Sequence, residues 1–531
     1  MKTYINRSIL LILVLTMSGL ASACQPVSDT RSTLKYGLTL APSGIDPHLN
    51  ASAELGIPLS SVYDTLVFLD PVSGGFVPGL AERWEISSDG LLYTFYLRKD
   101  VRFHDGTPFN AQAVQDNLDY ILDPDNHSQK AATMLGPLNQ TEILDEYSIA
   151  FVLDEPFAPL LDSLSQVYLG MASPTALNQW GTSEYQFHQV GTGPYRFVEY
   201  IPNDHITLER NPDYDWGPAI YDNAKASVKR IVFYFYEDAA SRALALERRE
   251  VDIMGEIPPL EANRLASSTD FSLAPVAIPG QPLQYFFNIT VAPTDDLRVR
   301  QALLLAVDKE SIVLTVFGSH SPIGNSPLSQ AGFGMISELP PSSHNPEEAR
   351  KLLNETGWIL EGQDTYRKRN GEPLVIKLIA PPWGSNSEVA QLVKAGWENI
   401  GVEVELTIAP GFGSLKEIQS SGDYHAIGIN FFGTDPDLLR SFYASNGFYN
   451  WSGFSDSDID QLLDEAARTT LAPDHRGELY NQIVRAIADN VLVLPIRDYV
   501  NLIITHQRVE GLKFSAQGWF PNLIDVQLSS P

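Results

Sequence analysis

Hydrophobic positions along the chain follow three rhythms: one continuous run, several two-residue alternations, and several helical stripes. The continuous run comes first. After the basic residues Lys2 and Arg7, Ile9 to Met17 contains only Ile, Leu, Val, Thr and Met, and small residues then lead through Ala21-Ser22-Ala23 to Cys24. A charged start, a short apolar run and a small-residue end make a secretory signal, and the run is too short to span a bilayer. Residues 25–33 are polar and patternless, as a flexible leash is.

Beyond the leash the alternations and stripes predict an α/β protein. Leu34 to Leu40 reads as a strand closed by Ala41-Pro42-Ser43-Gly44. Trp84 to Ile86, the turn Ser87-Ser88-Asp89-Gly90 and Leu92 to Leu97 read as a hairpin. Val101 to Phe103 is a further short strand, and Asn110 caps a helix whose Val114, Leu118 and Ile121 share a face. Arg230 to Tyr236 has the composition of a strand buried on both faces; Asp238 then caps a helix to Arg249, and Val251 to Met254 is a second strand. That order is a parallel crossover unit. It recurs as strand Leu374 to Ile379, helix Glu388 to Asn399, a stop at Gly401 and strand Val402 to Thr407, which predicts two α/β lobes. Between them Asn345-Pro346-Glu347-Glu348 is a capped helix start, and Gly357 ends that helix.

Composition narrows the function. The chain has 531 residues, 44% hydrophobic and 19% charged, an ordinary globular balance with length for several lobes. A net charge of -29 offers no basic patch for a phosphate backbone, so nucleic acid is excluded as a partner. One cysteine allows no intramolecular disulfide and no cysteine-rich metal site.

Enzyme signatures give way to plainer readings. Gly191-Thr192-Gly193 runs into Pro194-Tyr195 and a strand pattern, so it is not a nucleotide loop. The ten histidines are dispersed, with neither zinc-protease spacing nor a ligand-rich cluster for bare nickel. Asp456, Asp458 and Asp460 lack the Gly and Glu of a calcium loop and read as an acidic helix start. No metal or other cofactor is expected. With 65 acids in the chain, a pair of glycosidase carboxylates has no sequence mark of its own. Eight aromatics from Tyr424 to Trp451 surround Gly433-Thr434-Asp435-Pro436-Asp437. Phe442 and Tyr443 read as core. The rest suits a pocket for a ligand with apolar bulk and a polar or cationic group.

Several stretches together resemble the extracytoplasmic solute-binding proteins of the peptide/nickel class of ABC importers (family 5). They are Gly44-Ile45-Asp46-Pro47-His48, Val62-Tyr63-Asp64-Thr65-Leu66 and Pro78 to Trp84, then Phe103-His104-Asp105-Gly106-Thr107-Pro108-Phe109. Gly191 to Phe197, Arg210-Asn211-Pro212-Asp213-Tyr214, Arg298 to Leu303 and the Asn345 helix complete the series. The resemblance implies a two-lobed periplasmic-binding-protein clamp (type II, cluster C-like) with an inserted accessory domain, acting as a monomer without catalysis. It places lobe I at 34–68, 187–283 and 496–531, the accessory domain at 69–186 and lobe II at 284–495, after a signal peptide at 1–23 and a lipid-tethered linker at 24–33.

The same resemblance implies a small solute, a peptide first, enclosed by hinge closure and handed to an ABC permease. Its contacts fall on Asn50, Ser52 and Glu54, on Trp383 and Asn386, and on Phe431, Phe432 and Asp435. Peptide-binding members carry Trp-x-x-Asp before Asp-Pro in the last loop; this chain has Phe431 or Phe432 for the Trp, and neither Asp435 nor Asp437 matches the ammonium anchor. An amine, a sugar or another modified solute therefore stands beside the peptide, and turnover of a small substrate would mark a secreted hydrolase instead. Cys24 keeps two readings. It is the lipidated first residue of a membrane-tethered lipoprotein, or an unmodified cysteine after an ordinary small-x-small cleavage site.

Overall fold

The structure, a computed structural model, describes residues 32–42, 44–52, 54–332, 339–340 and 343–529. The export signal, Cys24 and residues 25–31 of the leash lie outside the described residues.

Elements are numbered along the chain. The strands are β1 (Thr33–Leu38), β2 (Ala81–Ile86), β3 (Leu92–Leu97), β4 (Leu138–Asp145), β5 (Ser148–Leu153), β6 (Tyr195–Ile201), β7 (His205–Arg210) and β8 (Arg230–Phe235). They continue with β9 (Ile253–Met254), β10 (Phe271–Ala277), β11 (Leu283–Phe287), β12 (Val375–Ala380), β13 (Glu403–Ile408), β14 (Ala426–Gly428), β15 (Val493–Arg497) and β16 (Val500–His506). Helices that position them are α1 (Ala111–Leu122), α2 (Leu160–Leu164), α3 (Ala239–Glu247), α4 (Pro346–Glu355), α5 (Asn386–Glu398), α6 (Ser457–Arg468) and α7 (Pro473–Asp489).

Three sheets carry the architecture among the described residues. A seven-stranded sheet runs β10-β16-β9-β1-β8-β7-β6, a five-stranded sheet β13-β12-β14-β11-β15, and a four-stranded sheet β2-β3-β5-β4. The chain passes between the two large sheets twice, from Ala277 to Leu283 and from Arg497 to Val500. One continuous core joins the four-stranded sheet to the first large sheet, bringing Phe95 and Phe151 together with Tyr36 and Phe233. The five-stranded sheet buries a separate core on each face, one around Trp397 and one around Phe286 and Tyr480. The fold is thus a two-lobed α/β clamp with an inserted accessory unit.

Local signals did what their chemistry requires. Asn110 Oδ1 accepts from Ala113 N at 3.0 Å, Asp238 Oδ1 from Ser241 N at 2.8 Å and Asn345 Oδ1 from Glu348 N at 3.0 Å, each satisfying an amide a helix start leaves unpaired. Asp456 does the same for α6, accepting from Asp458 N and Ile459 N. The Gly191-Thr192-Gly193 motif is a close backbone approach: a Cβ on Gly191 would sit 2.0 Å from the Val62 carbonyl oxygen, and one on Gly193 2.5 Å from that of Ser61.

Four expectations need correction. Val101 to Phe103 is no strand; only Arg102 makes an isolated bridge, to Pro108, which has no N–H with which to extend a ladder. The first strand stops at Leu38, so Leu40 is 56% exposed. The strand β8 is not buried on both faces: Ile231 and Phe233 are fully buried on one, with Phe235 half-buried beyond them, whereas Val232 and Tyr234 on the other are only half-buried. Its helix ends at Glu247, and Arg249 turns the chain with φ 57°. The crossover itself holds with one change, since β8 and β9 are both parallel to β1, which lies between them. In the second unit β12 and β13 are direct parallel neighbours.

Candidate functional site

Parallel strands point their carboxyl ends at one crevice, and that is where open α/β sheets bind ligands. Here the segments after β1, β8, β9 and β12 bring Leu40, Glu237, Glu256 and Trp383 to the wall of a single cavity of about 610 Å³ between the two large sheets. Asn386, Asn430, Phe432, Arg497, Tyr499 and Trp519 complete its chemistry. A smaller cavity of about 220 Å³ shares Asn430, Phe432 and Trp519 with it.

The polar wall is built on the second interlobe passage. Arg497 ends β15 and is 4% exposed, with its guanidinium carbon 3.9 Å from the centre of the Phe317 ring and 4.3 Å from that of Tyr499. Its Nη1 donates to Ser321 Oγ at 3.0 Å, and its Nε has no partner among the described residues. No carboxylate lies within 4.0 Å of it among the described residues, and burial pushes the guanidinium below its usual range. Two residues on, the Tyr499 hydroxyl donates to Glu256 Oε1 at 2.7 Å. Glu256 adopts φ 48°, a conformation non-glycine residues rarely take, and its N–H donates to Asn501 Oδ1 at 2.7 Å. Arg242 donates to the carbonyls of Tyr236, Glu237 and Glu256, each at 3.0 Å, and its Nη1 also lies 3.9 Å from the Glu256 carboxylate. The cavity therefore offers a buried cation with no direct ion pair among the described residues, a carboxylate held by Tyr499 and Arg242, and aromatic faces from Phe432, Tyr499 and Trp519, whose ring centres lie 4.9 to 5.7 Å apart.

Of the residues expected at the site, Trp383, Asn386 and Phe432 line the large cavity, and Phe431 the small one, where it also packs on Phe442 and Tyr449. Phe442 and Tyr443 are buried core. The structure does not bring Asn50, Ser52, Glu54 and Asp435 to the cavity wall. Asn50 Oδ1 closes its own turn by accepting from Asp46 N at 3.1 Å, and the Ser52 carbonyl accepts from the Tyr168 hydroxyl at 3.0 Å. Glu54 is buried behind the wall, accepting from Thr39 Oγ1 at 2.6 Å, and burial pushes its carboxyl up to about 7. Asp435 is held by a bidentate pair with Arg476, at 2.6 and 2.8 Å, and caps the short turn that follows it. The residues missed are Arg497, Glu256, Tyr499 and Trp519. The one sequence signal, for Arg497 and Glu256, is a charge at or just past the end of a buried strand, at Pro495-Ile496-Arg497 and Met254-Gly255-Glu256.

The match to the family model for bacterial extracellular solute-binding proteins, family 5 Middle, covers residues 75–453. The glutathione-binding protein GsiB of Pectobacterium atrosepticum is 30% identical over 74% of this chain and 74% of its own length. Di/tripeptide-binding protein 1 of Pseudomonas aeruginosa is 28% identical over 86% of this chain and 87% of its own. Among solved structures, NikA from Brucella suis in complex with Fe(III)-EDTA superposes with a TM-score of 0.84 at 25% identity, covering 94% of this chain and all of that one. Motif order, fold and sequence agree: the chain belongs to the bacterial extracellular solute-binding proteins of family 5.

Proposed function

We propose that this chain is the solute receptor of an ABC importer for a peptide or peptide-like zwitterion, enclosed between the two lobes and released to a membrane permease. One observation carries the reading. Arg497 is a buried cation in the wall of the interlobe cavity with no direct ion pair among the described residues, Glu256 and Asp498 acting on its charge only from beyond 4.0 Å, and burying a charge so weakly paired is costly unless a ligand supplies a closer partner. A terminal carboxylate meets that need, while Glu256 is the carboxylate within the same cavity that receives an ammonium group. The glutathione- and di/tripeptide-binding relatives favour the same class. The lobes are taken as 34–68, 187–283 and 496–531 against 284–495, with 69–186 inserted, and the passages at 277–283 and 497–500 serve as the hinge.

Calorimetric titration of the purified protein with Ala-Ala, its C-terminal amide and its N-acetyl form tests this. Ala-Ala is expected to bind near the micromolar level, about -8 kcal/mol, and each blocked form to lose about 2 kcal/mol or more. Small-angle scattering should show compaction on binding. Equal affinity for free and blocked forms rejects the zwitterion reading.

We further propose that Cys24 is lipidated and tethers a monomeric receptor beside its permease, since stable anchoring takes two acyl chains, as in bacterial lipoproteins. Cys24→Ser should move the protein from the membrane fraction to the soluble one with ligand affinity unchanged; retention on the membrane removes the tether.

A further inference from the structure

We propose that the smaller cavity is an acidic subsite in which the Lys130 ammonium receives a carboxylate carried by a side arm of the bound solute. This rests on the peptide-like reading above and adds a preference for acidic members of that class. Lys130 is the charged side chain lining this cavity of about 220 Å³, and aromatic residues form much of the rest of the wall. Its Nζ stands 3.7 Å from the centre of the Tyr168 ring, with no hydrogen bond or ion pair among the described residues. The nearby acid is already engaged: Asp162 accepts from Thr434 Oγ1 at 2.5 Å and from Gln166 Nε2 at 2.9 Å.

A half-buried ammonium that rests on a ring face lacks most of the partners its three N–H groups would have in water. Burial accordingly pushes Lys130 down to about 8, the direction expected when the charged form is poorly solvated. A ligand carboxylate would repair that deficit in a place where water competes little. The large cavity, by contrast, mixes Arg497 with Glu237, Glu256 and Glu388. The two cavities meet at Phe432 and Trp519, so a zwitterionic backbone in the first can send one side arm past those rings into the second. In a chain with a net charge of -29, an anion is drawn in only by so local a feature.

The test compares Ala-Glu with Ala-Gln, which differ only in the charge of the side arm. The wild-type protein should bind Ala-Glu about tenfold more tightly. Lys130→Met should abolish that preference while leaving Ala-Gln within about twofold, and Lys130→Arg, which keeps the charge, should retain it. Equal binding of the two peptides by the wild type, or an unchanged preference in Lys130→Met, overturns the subsite while leaving the peptide reading intact. Binding of neither peptide overturns the peptide reading. The subsite is then judged on the solute that co-purifies from the host in native mass spectrometry. An anionic solute lost from Lys130→Met supports it, and a solute without an anionic group, or one held equally by both proteins, overturns it.

Discussion

Replacing Arg497 with Met should cost solute capture at least about thirtyfold, and up to a few thousandfold, with little change in the stability of the empty protein. The range is that of truncating one partner of a buried charge pair, about 2–5 kcal/mol. Stability follows from opposing effects of similar size. Arg497 is 4% exposed and its guanidinium has no carboxylate within 4.0 Å among the described residues, so its removal relieves a desolvation penalty. Its stacking on Phe317 and Tyr499 and its bond to Ser321 are lost in exchange, about 2 kcal/mol and about 1 kcal/mol respectively. Methionine keeps the apolar stem, so the packing survives. Arg497→Lys should recover only part of the affinity, because a point charge does not reproduce a planar fork. Thermal unfolding and calorimetry on the same preparations separate the two effects. Normal affinity in Arg497→Met would remove the carboxylate anchor from this site.

Legibility from sequence stopped where chemistry ceased to be local. Asn110, Asp238, Asn345 and Asp456 were readable as caps because donor and acceptor lie within three residues. The crossover through α5 was readable because a buried strand, an amphipathic helix and Gly401 follow in order. Strand order was not: nothing between residues 230 and 254 announces that β1, from the start of the folded chain, lies between β8 and β9. The site divided along the same line. Trp383 and Phe432 on loops, and Asn386 at the start of α5, belong to stretches that the resemblance singled out, and they do reach the cavity. Arg497 and Glu256 were missed because their significance lies in what surrounds them in space. Asp435 was misread for the same reason, as its partner is 41 residues away in sequence on α7.

That partner makes Asp435 a stability residue, and Asp435→Ala should lower the unfolding free energy by about 3–5 kcal/mol, the cost of breaking a buried pair from one side. The Asp435–Arg476 side chains are 14% and 9% exposed, so the orphaned guanidinium has little water to turn to. Affinity for solute, measured on the folded protein, should change less than tenfold, because the carboxylate is spent on Arg476 and the turn amide of Asp437. Removing the cation instead gives a different pH signature. Burial and the charge of Asp435 push Asp162 up to about 7, and burial raises Asp437 to about 6 with Asp435 adding to the rise. A carboxyl whose folded-state value is raised supports folding fully below its unfolded value, near 4, and that support is lost as pH climbs through the folded value. In Arg476→Met these acids lose that cation and keep Arg440, which pairs with Asp437 at 3.2 Å, so the defect should be small at pH 5 and grow toward pH 8. In Asp435→Ala the arginine stays charged and keeps the Ala466 carbonyl, the Tyr480 hydroxyl and the nearby charges of Asp437 and Asp162, so the defect should be present at both and should not grow toward pH 8. Urea unfolding at the two pH values distinguishes these outcomes, and the double variant Asp435→Leu/Arg476→Met should regain most of the loss. Wild-type stability in Asp435→Ala would return that carboxylate to the candidates for ligand contact.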